Sequence, residues 1–340
     1  MSNIVPRDGN HVPIVDPALE IAEGTANGHS PVLKFGRNPS TAAGDDIWSA
    51  GGVYVPPTQA RLHDVVSTST ADTGTVLSSG TPTTKSAVSL IDSTATFSTD
   101  TVAVGDIVLN DTTQDHSIVT AVVSETELSV VKMHHGTFNS VGDSYRVVTA
   151  GSTGAVVAHI KSGLDSNFDQ QSEFVVLNGQ TDVETTKSYL RINRFHIHGA
   201  GSGGVNAGVI SVTAQTDATV TAEIPTGFGQ TLMAHYTIPR NYKAYITNVY
   251  ATINKVSGTT PSADIVLWEH LWAGNTTSVG DGKFLHGYWG VTPQSSGTLK
   301  TYNPYKFVSE FADVWLAAPA VAGTTPDISA GFDLILVKNE

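Results

Sequence analysis

The chain is 340 residues long and carries a formal net charge of −13 at pH 7. Asp, Glu, Lys and Arg make up only 14% of it, against about 25% in ordinary soluble domains. An acidic chain without a Lys/Arg stripe is not expected to read nucleic acid, and the absence of cysteine excludes a disulfide scaffold and any thiolate metal or redox site.

Thr, Ser, Gly, Ala and Val take the place of the missing charge. Thr and Val are stiff at χ1 and suit a pleated, half-buried surface. No long segment shows the apolar stripe of an amphipathic helix. No run reaches the roughly 18 apolar residues of a spanning helix, so no membrane insertion is expected. The opening residues lack the basic and apolar regions of a secretory signal. The length exceeds what one core usually supports, which predicts more than one structural part.

Residues 1–60 read as an extended arm. Pro6, Pro13, Pro17, Pro31, Pro39, Pro56 and Pro57 recur through it with glycines between them, a pattern that opposes regular helix and central strand. Phe35, Ile47, Trp48 and Tyr54 are its apolar anchors, expected to lie along a neighbouring subunit. Residues 75–149 show short strands separated by turns such as Gly105-Asp106 and Asp111–Asp115, the pattern of a small SH3-like or OB-like barrel. Gly/Ser/Thr-rich text flanks this unit on both sides, which marks it as an insertion.

The segments 61–74 and 150–340 read together as one β-sandwich. Asn178-Gly179 between Phe174–Leu177 and Val183 predicts a hairpin, and Val209–Ala214 with Ala218–Ile224 predicts a second. Strands are expected over Tyr189–His198, Thr231–Ile238, Ala244–Val256 and Asp264–Trp272. Phe307–Leu316 is expected to be a short helix or irregular turn, and the apolar C-terminal run should close a sheet. The expected class is all-β: a jelly-roll-like β-sandwich with an inserted small β-barrel and an N-terminal arm.

Little here spells out chemistry. His196 and His198 form an H-x-H on a strand, so both imidazoles share a face. They are weak candidate metal ligands that lack a third donor, unless three chains met on an axis and each supplied one. His134-His135-Gly136 reads as a loop. The glycine run 199–204 is followed by a strand pattern rather than a helix, so it is no phosphate cradle. On the strand at 264–272, Val266, Trp268, His270 and Trp272 alternate onto one face, and Ile265, Leu267 and Leu271 onto the other. Trp268, His270 and Trp272, together with Tyr288 and Trp289, form an expected interface or ligand surface, since aromatics are enriched in interface cores. There is no G-x-S-x-G elbow and no recognisable carboxylate pair. A non-enzymatic chain without a cofactor is expected.

Several stretches resemble a group of structural proteins of tailed phages, many of them marine. They are Gly36–Pro39, Asp46–Thr58, Gly163–Asp165, Leu177–Gly179, Tyr189–Arg194, Gly201–Gly208, Gly229–Ala234 and Asp327–Leu334. Val104–Val108 followed by Val119–Val122 is similar to a module that recurs in such proteins. The resemblance implies a virion location, with assembly in the host cytoplasm. Its expected partners are itself, as a homotrimer, and other virion proteins such as the major capsid protein. The implied role is a capsid decoration or head-fibre subunit, docked by its arm and self-associated through its β-domain. The alternative is a neck or tail-fibre adhesin that contacts host glycan.

Overall fold

A computed structural model describes residues 17–131, 141–149, 153–255, 261–271, 282–293, 297–323 and 325–339. Its elements in chain order begin with α1 (Pro17–Glu23), β1 (His29–Asn38), β2 (Asp45–Asp46) and β3 (His63–Ser67). There follow β4 (Val76–Gly80), β5 (Ser89–Ile91), β6 (Ile107–Asn110), β7 (Asp115–Ser124), β8 (Glu127–Val130) and β9 (Tyr145–Val148). Then come β10 (Ala155–Leu164), β11 (Gln170–Val176), β12 (Val183–Glu184), β13 (Arg191–Ala200), β14 (Ile210–Ala214) and β15 (Val220–Ile224). The chain finishes with β16 (His235–Thr237), β17 (Tyr242–Lys255), β18 (Ser262–Leu271), β19 (Phe284–Val291), β20 (Thr298–Val308), β21 (Ala312–Ala322) and β22 (Asp327–Lys338). The fold is all-β.

Two compact units result. The first joins residues 1–59, 164–170 and 232–340; the second joins 60–163 and 171–231. Residues 61–74 and 150–340, expected to form one sandwich, are distributed over both units. Separate hydrophobic clusters in each unit accord with the limit on how far one core grows.

The first unit is a sandwich of sheets β1-β22-β17-β20 and β16-β21-β18-β19, with β2 on β21. Alternation builds its core. On β22, Ile328, Ala330, Phe332, Leu334 and Leu336 all point inward, against Ile265, Leu267, Val314 and Leu316 of the other sheet. Each large side chain buried here stabilises by about 1.5–3 kcal/mol. β22 lies between β1 and β17, so the C-terminal run is an inner strand.

The expected arm is corrected over its described residues. Residues 29–38 pair with β22 along their whole length, from His29 with Val337 to Asn38 with Ile328. Pro31 is tolerated because β1 is an edge strand, and Pro17 because it occupies the first position of α1. Ile47, Trp48 and Tyr54 are buried within this unit, and Trp48 Nε1 donates to Gly52 O at 3.0 Å. They are core residues rather than anchors; only Phe35 of the four is exposed. The expected helix or irregular turn at 307–316 is mostly strand, with the turn confined to 309–311 between β20 and β21.

In the second unit, sheets β12-β3-β14-β15 and β11-β10-β13 enclose a core of Val65, Ile210, Val212, Ile160, Ile192 and Phe195. The hairpin β14–β15 forms as expected. Asn178-Gly179 does not make one: β12 pairs with β3 instead of β11. Gly179, at φ +60°, serves a turn that donates its N–H to Asp72 O at 2.8 Å. The segment 75–149 supplies a six-stranded antiparallel sheet, β4-β9-β6-β7-β8-β5, around Leu90, Phe97, Val108, Leu128, Tyr145 and Val147.

A carboxylate ties together the segments that lead into and out of this sheet. Asp72, fully buried, accepts from Ser67 Oγ at 2.6 Å and from the backbone N–H groups of Ala155 (2.7 Å), Ala207 (2.7 Å) and Gly208 (2.8 Å). Its outer face then packs on β10 and β11 through Ile107, Leu109, Val148, Val156, Val157 and Phe174. Gly199 allows the close approach, since a Cβ there would overlap Ile107 Cδ1.

Candidate metal centre and aromatic surfaces

Strand alternation decides where the histidines of the second unit go. On β10, Ala158 and Ile160 enter the core, which turns His159 to the opposite face. On β13, Phe195 and Ile197 pack toward the core, which turns His196 and His198 outward. β10 and β13 are neighbours, so three imidazoles converge under the six-stranded sheet. Their donor nitrogens all lie within 4.8 Å of one another. His198 Nδ1 is 3.5 Å from His196 Nε2. On its other side, His198 Nε2 is 2.5 Å from Nδ1 of His116 on β7. Phe174 closes the cluster, 4.4 Å from the His159 ring and 4.8 Å from that of His198.

The cluster differs from a structural histidine nearby. His63 is buried too, but its two nitrogens meet Arg61 O and Thr221 Oγ, each at 2.9 Å. His159 is only 4% exposed, and neither of its nitrogens has a hydrogen-bond partner in the protein. Nδ1 of His196 is in the same position. Burial holds the imidazoles in their neutral, metal-ligating form: it pushes His159 down to about 3, His196 to about 4 and His198 to about 3, with smaller effects from Lys161, Arg194 and one another.

The donor missing from the sequence reading of His196 and His198 is therefore His159 of the same chain, with His116 beside it. A histidine inside the apolar run Ala155–Ile160 was the available signal. His134 and His135 lie outside the described residues.

Two aromatic surfaces belong to the first unit. Trp268 and His270 stand on the outer face of β18, while Ile265 and Leu267 fill the core, as alternation predicts. Trp268 packs with Trp315, and the two line a cleft of about 340 Å³ with Tyr54, Asp46, His235, His270, Lys283 and Asp313. The rings of Tyr54 and His235 are 4.7 Å apart. Burial raises the Asp46 carboxyl to about 6, partly offset by the N–H that Tyr54 donates to it at 2.8 Å. Lys283 Nζ sits 5.2 Å over the Trp315 ring. Asp46, His235 and Trp315 were not singled out from sequence, because nothing local relates them to Trp268. Trp272 lies outside the described residues.

The second surface follows the outer strands β19 and β20, each the last strand of its sheet. Phe284, Leu285 and Tyr288 on β19, and Leu299, Tyr305 and Phe307 on β20, are all exposed, Leu299 by 70%. Tyr288 donates a hydrogen bond to Asp264, and Tyr302 Oη donates to His286 O at 3.3 Å, joining the two strands. Trp289 is half-buried against the core, so the structure does not group it with the exposed rings. No family model, curated protein or solved structure matches this chain.

Proposed function

We propose that the chain is a non-enzymatic structural subunit of a virion, of the capsid-decoration or head-fibre kind, which meets further copies of itself through β19 and β20. The observation that supports it is the row of exposed apolar side chains on those two outer strands. Monomeric proteins rarely leave contiguous apolar patches of more than a few hundred Å² in water. Outer strands are normally kept short, charged or covered. Pro304 interrupts the β20 ladder, where its pairing with β17 also shifts register. At β20, association therefore runs through side chains rather than through open-ended strand addition. Closed symmetry, a homotrimer in this reading, limits growth. Attachment to the major capsid protein falls to the β1 edge, where Leu33 and Phe35 are exposed, rather than to Ile47, Trp48 and Tyr54.

Sedimentation velocity on the purified chain tests the reading. The wild type is expected to be a discrete oligomer at micromolar concentration, and Leu299→Asp with Phe284→Asp to be a folded monomer. A wild-type monomer, or an oligomer indifferent to both changes, would refute self-association through these strands. Mass-spectrometric copy number against the major capsid protein then tests the location, with a near-stoichiometric ratio expected.

A second reading, a tail or neck adhesin for host glycan, is supported by the cleft at Trp268. Its size suits a sugar ring, its tryptophans offer apolar faces, and Asp46 and Asp313 offer acceptors for hydroxyls. A few to a few tens of copies per particle, with glycan binding lost in Trp268→Ala, would favour it.

A further inference from the structure

We infer that His159, His196 and His198 bind a divalent first-row transition ion, with His116 as the residue that orients His198. The inference is independent of how the chain associates. Two nitrogens that each stand about 2.0–2.1 Å from a tetrahedral ion lie about 3.3 Å apart. His198 Nδ1 and His196 Nε2 are 3.5 Å apart, and a nitrogen of His159 completes the set within 4.8 Å. A metal-bound imidazole typically gives its other N–H to an acceptor that fixes its tautomer. His198 Nε2 has that acceptor in His116 Nδ1 at 2.5 Å.

Burial supplies the second argument. Both nitrogens of His159 are withdrawn from water without a partner in the protein; one of them carries the lone pair of the neutral imidazole, and leaving it unmet in a buried site costs stability. A metal ion uses a lone pair on each ligand and needs the neutral imidazole that burial already enforces.

The donor set also selects the ion. The charged groups acting on the cluster are Lys161 and Arg194. Both oppose added positive charge, so the ion must be held by nitrogen donation rather than by net field. That favours zinc-like ions and disfavours calcium and magnesium, which take oxygen ligands. Bound at the cluster, the ion pins β10 to β13 and, through the His198–His116 contact, β13 to β7 of the six-stranded sheet.

Equilibrium dialysis of the full chain against zinc at about pH 7.5, with a parallel cobalt titration read by visible absorption, tests the site. One ion per chain and tetrahedral cobalt bands are expected. His159→Phe keeps an aromatic ring against Phe174 and should fold, as circular dichroism will show, yet lose saturable binding. His116→Ala should weaken binding about 10–100-fold, and His29→Ala, outside the cluster, should leave it unchanged. Absence of saturable binding in the wild type, or full binding by folded His159→Phe, would overturn the inference.

Discussion

Asp72→Ala offers a direct measure of how the segments flanking the six-stranded sheet are fastened to one another. The carboxylate is fully buried and accepts from three backbone N–H groups, those of Ala155, Ala207 and Gly208, and from the Ser67 hydroxyl. Truncation leaves three of these donors, Ser67 Oγ and the N–H groups of Ala155 and Gly208, in a buried site, while Ala207 is exposed enough for water to replace the carboxylate. Each buried donor left unmet costs about 1–3 kcal/mol. Water that enters the vacated space will recover some of this, so the expected loss is about 4 kcal/mol. That is a large part of the roughly 5–15 kcal/mol that holds a typical protein folded. Urea unfolding followed by far-UV circular dichroism reads the whole chain, and amide hydrogen exchange at Ala155 and Gly208 reads the second unit. The described tryptophans, at 48, 268, 289 and 315, belong to the first unit, so their native emission checks that this unit remains folded. A loss below about 1 kcal/mol would refute the claim that Asp72 is the fastening point, because it would mean that the donors find other acceptors at little cost.

Two pH predictions have opposite signs. Folding lowers His63 to about 4, His159 to about 3, His196 to about 4 and His198 to about 3, whereas free histidine titrates near 6.5. Below 6.5 the unfolded state binds more protons, so the second unit should lose stability as pH falls from about 6.5 toward 4, by about 3 kcal/mol from His63 alone and further from the cluster. Metal-free protein with the same urea midpoint at about pH 7.5 and 5 would contradict this. Asp46 goes the other way: its folded value near 6 lies above the ordinary carboxylate value, so its stabilising share exists at low pH and is lost as pH rises from about 4 through 6. Asp46→Asn should stabilise the first unit by about 1–2 kcal/mol at pH 7.5 and not at pH 4, with tryptophan fluorescence as the probe. An equal effect at both pH values would remove the burial argument.

What the sequence determined by itself was local. Its Thr/Val-rich, charge-poor text dictated strands, and the period of two assigned Ile265 and Leu267 to the core and Trp268 and His270 to the outer face. The same period placed His196 and His198 together. The N-terminal segment shows where local rules stop: proline opposes a central strand, yet whether a segment finds an outer position depends on a partner near the other end of the chain, here β22 for β1. Phe307–Leu316 and Asn178-Gly179 misled for the same reason, since each flanking strand takes its partner from elsewhere. The candidate metal centre is the clearest case. His116 and His198 are 82 positions apart, and His159 reaches them only because β10 and β13 are neighbours and β7 lies across them. Strand identity is carried by side-chain period and stiffness, which neighbours in sequence determine. Strand pairing depends on which distant surfaces bury one another, and only the tertiary structure decides that.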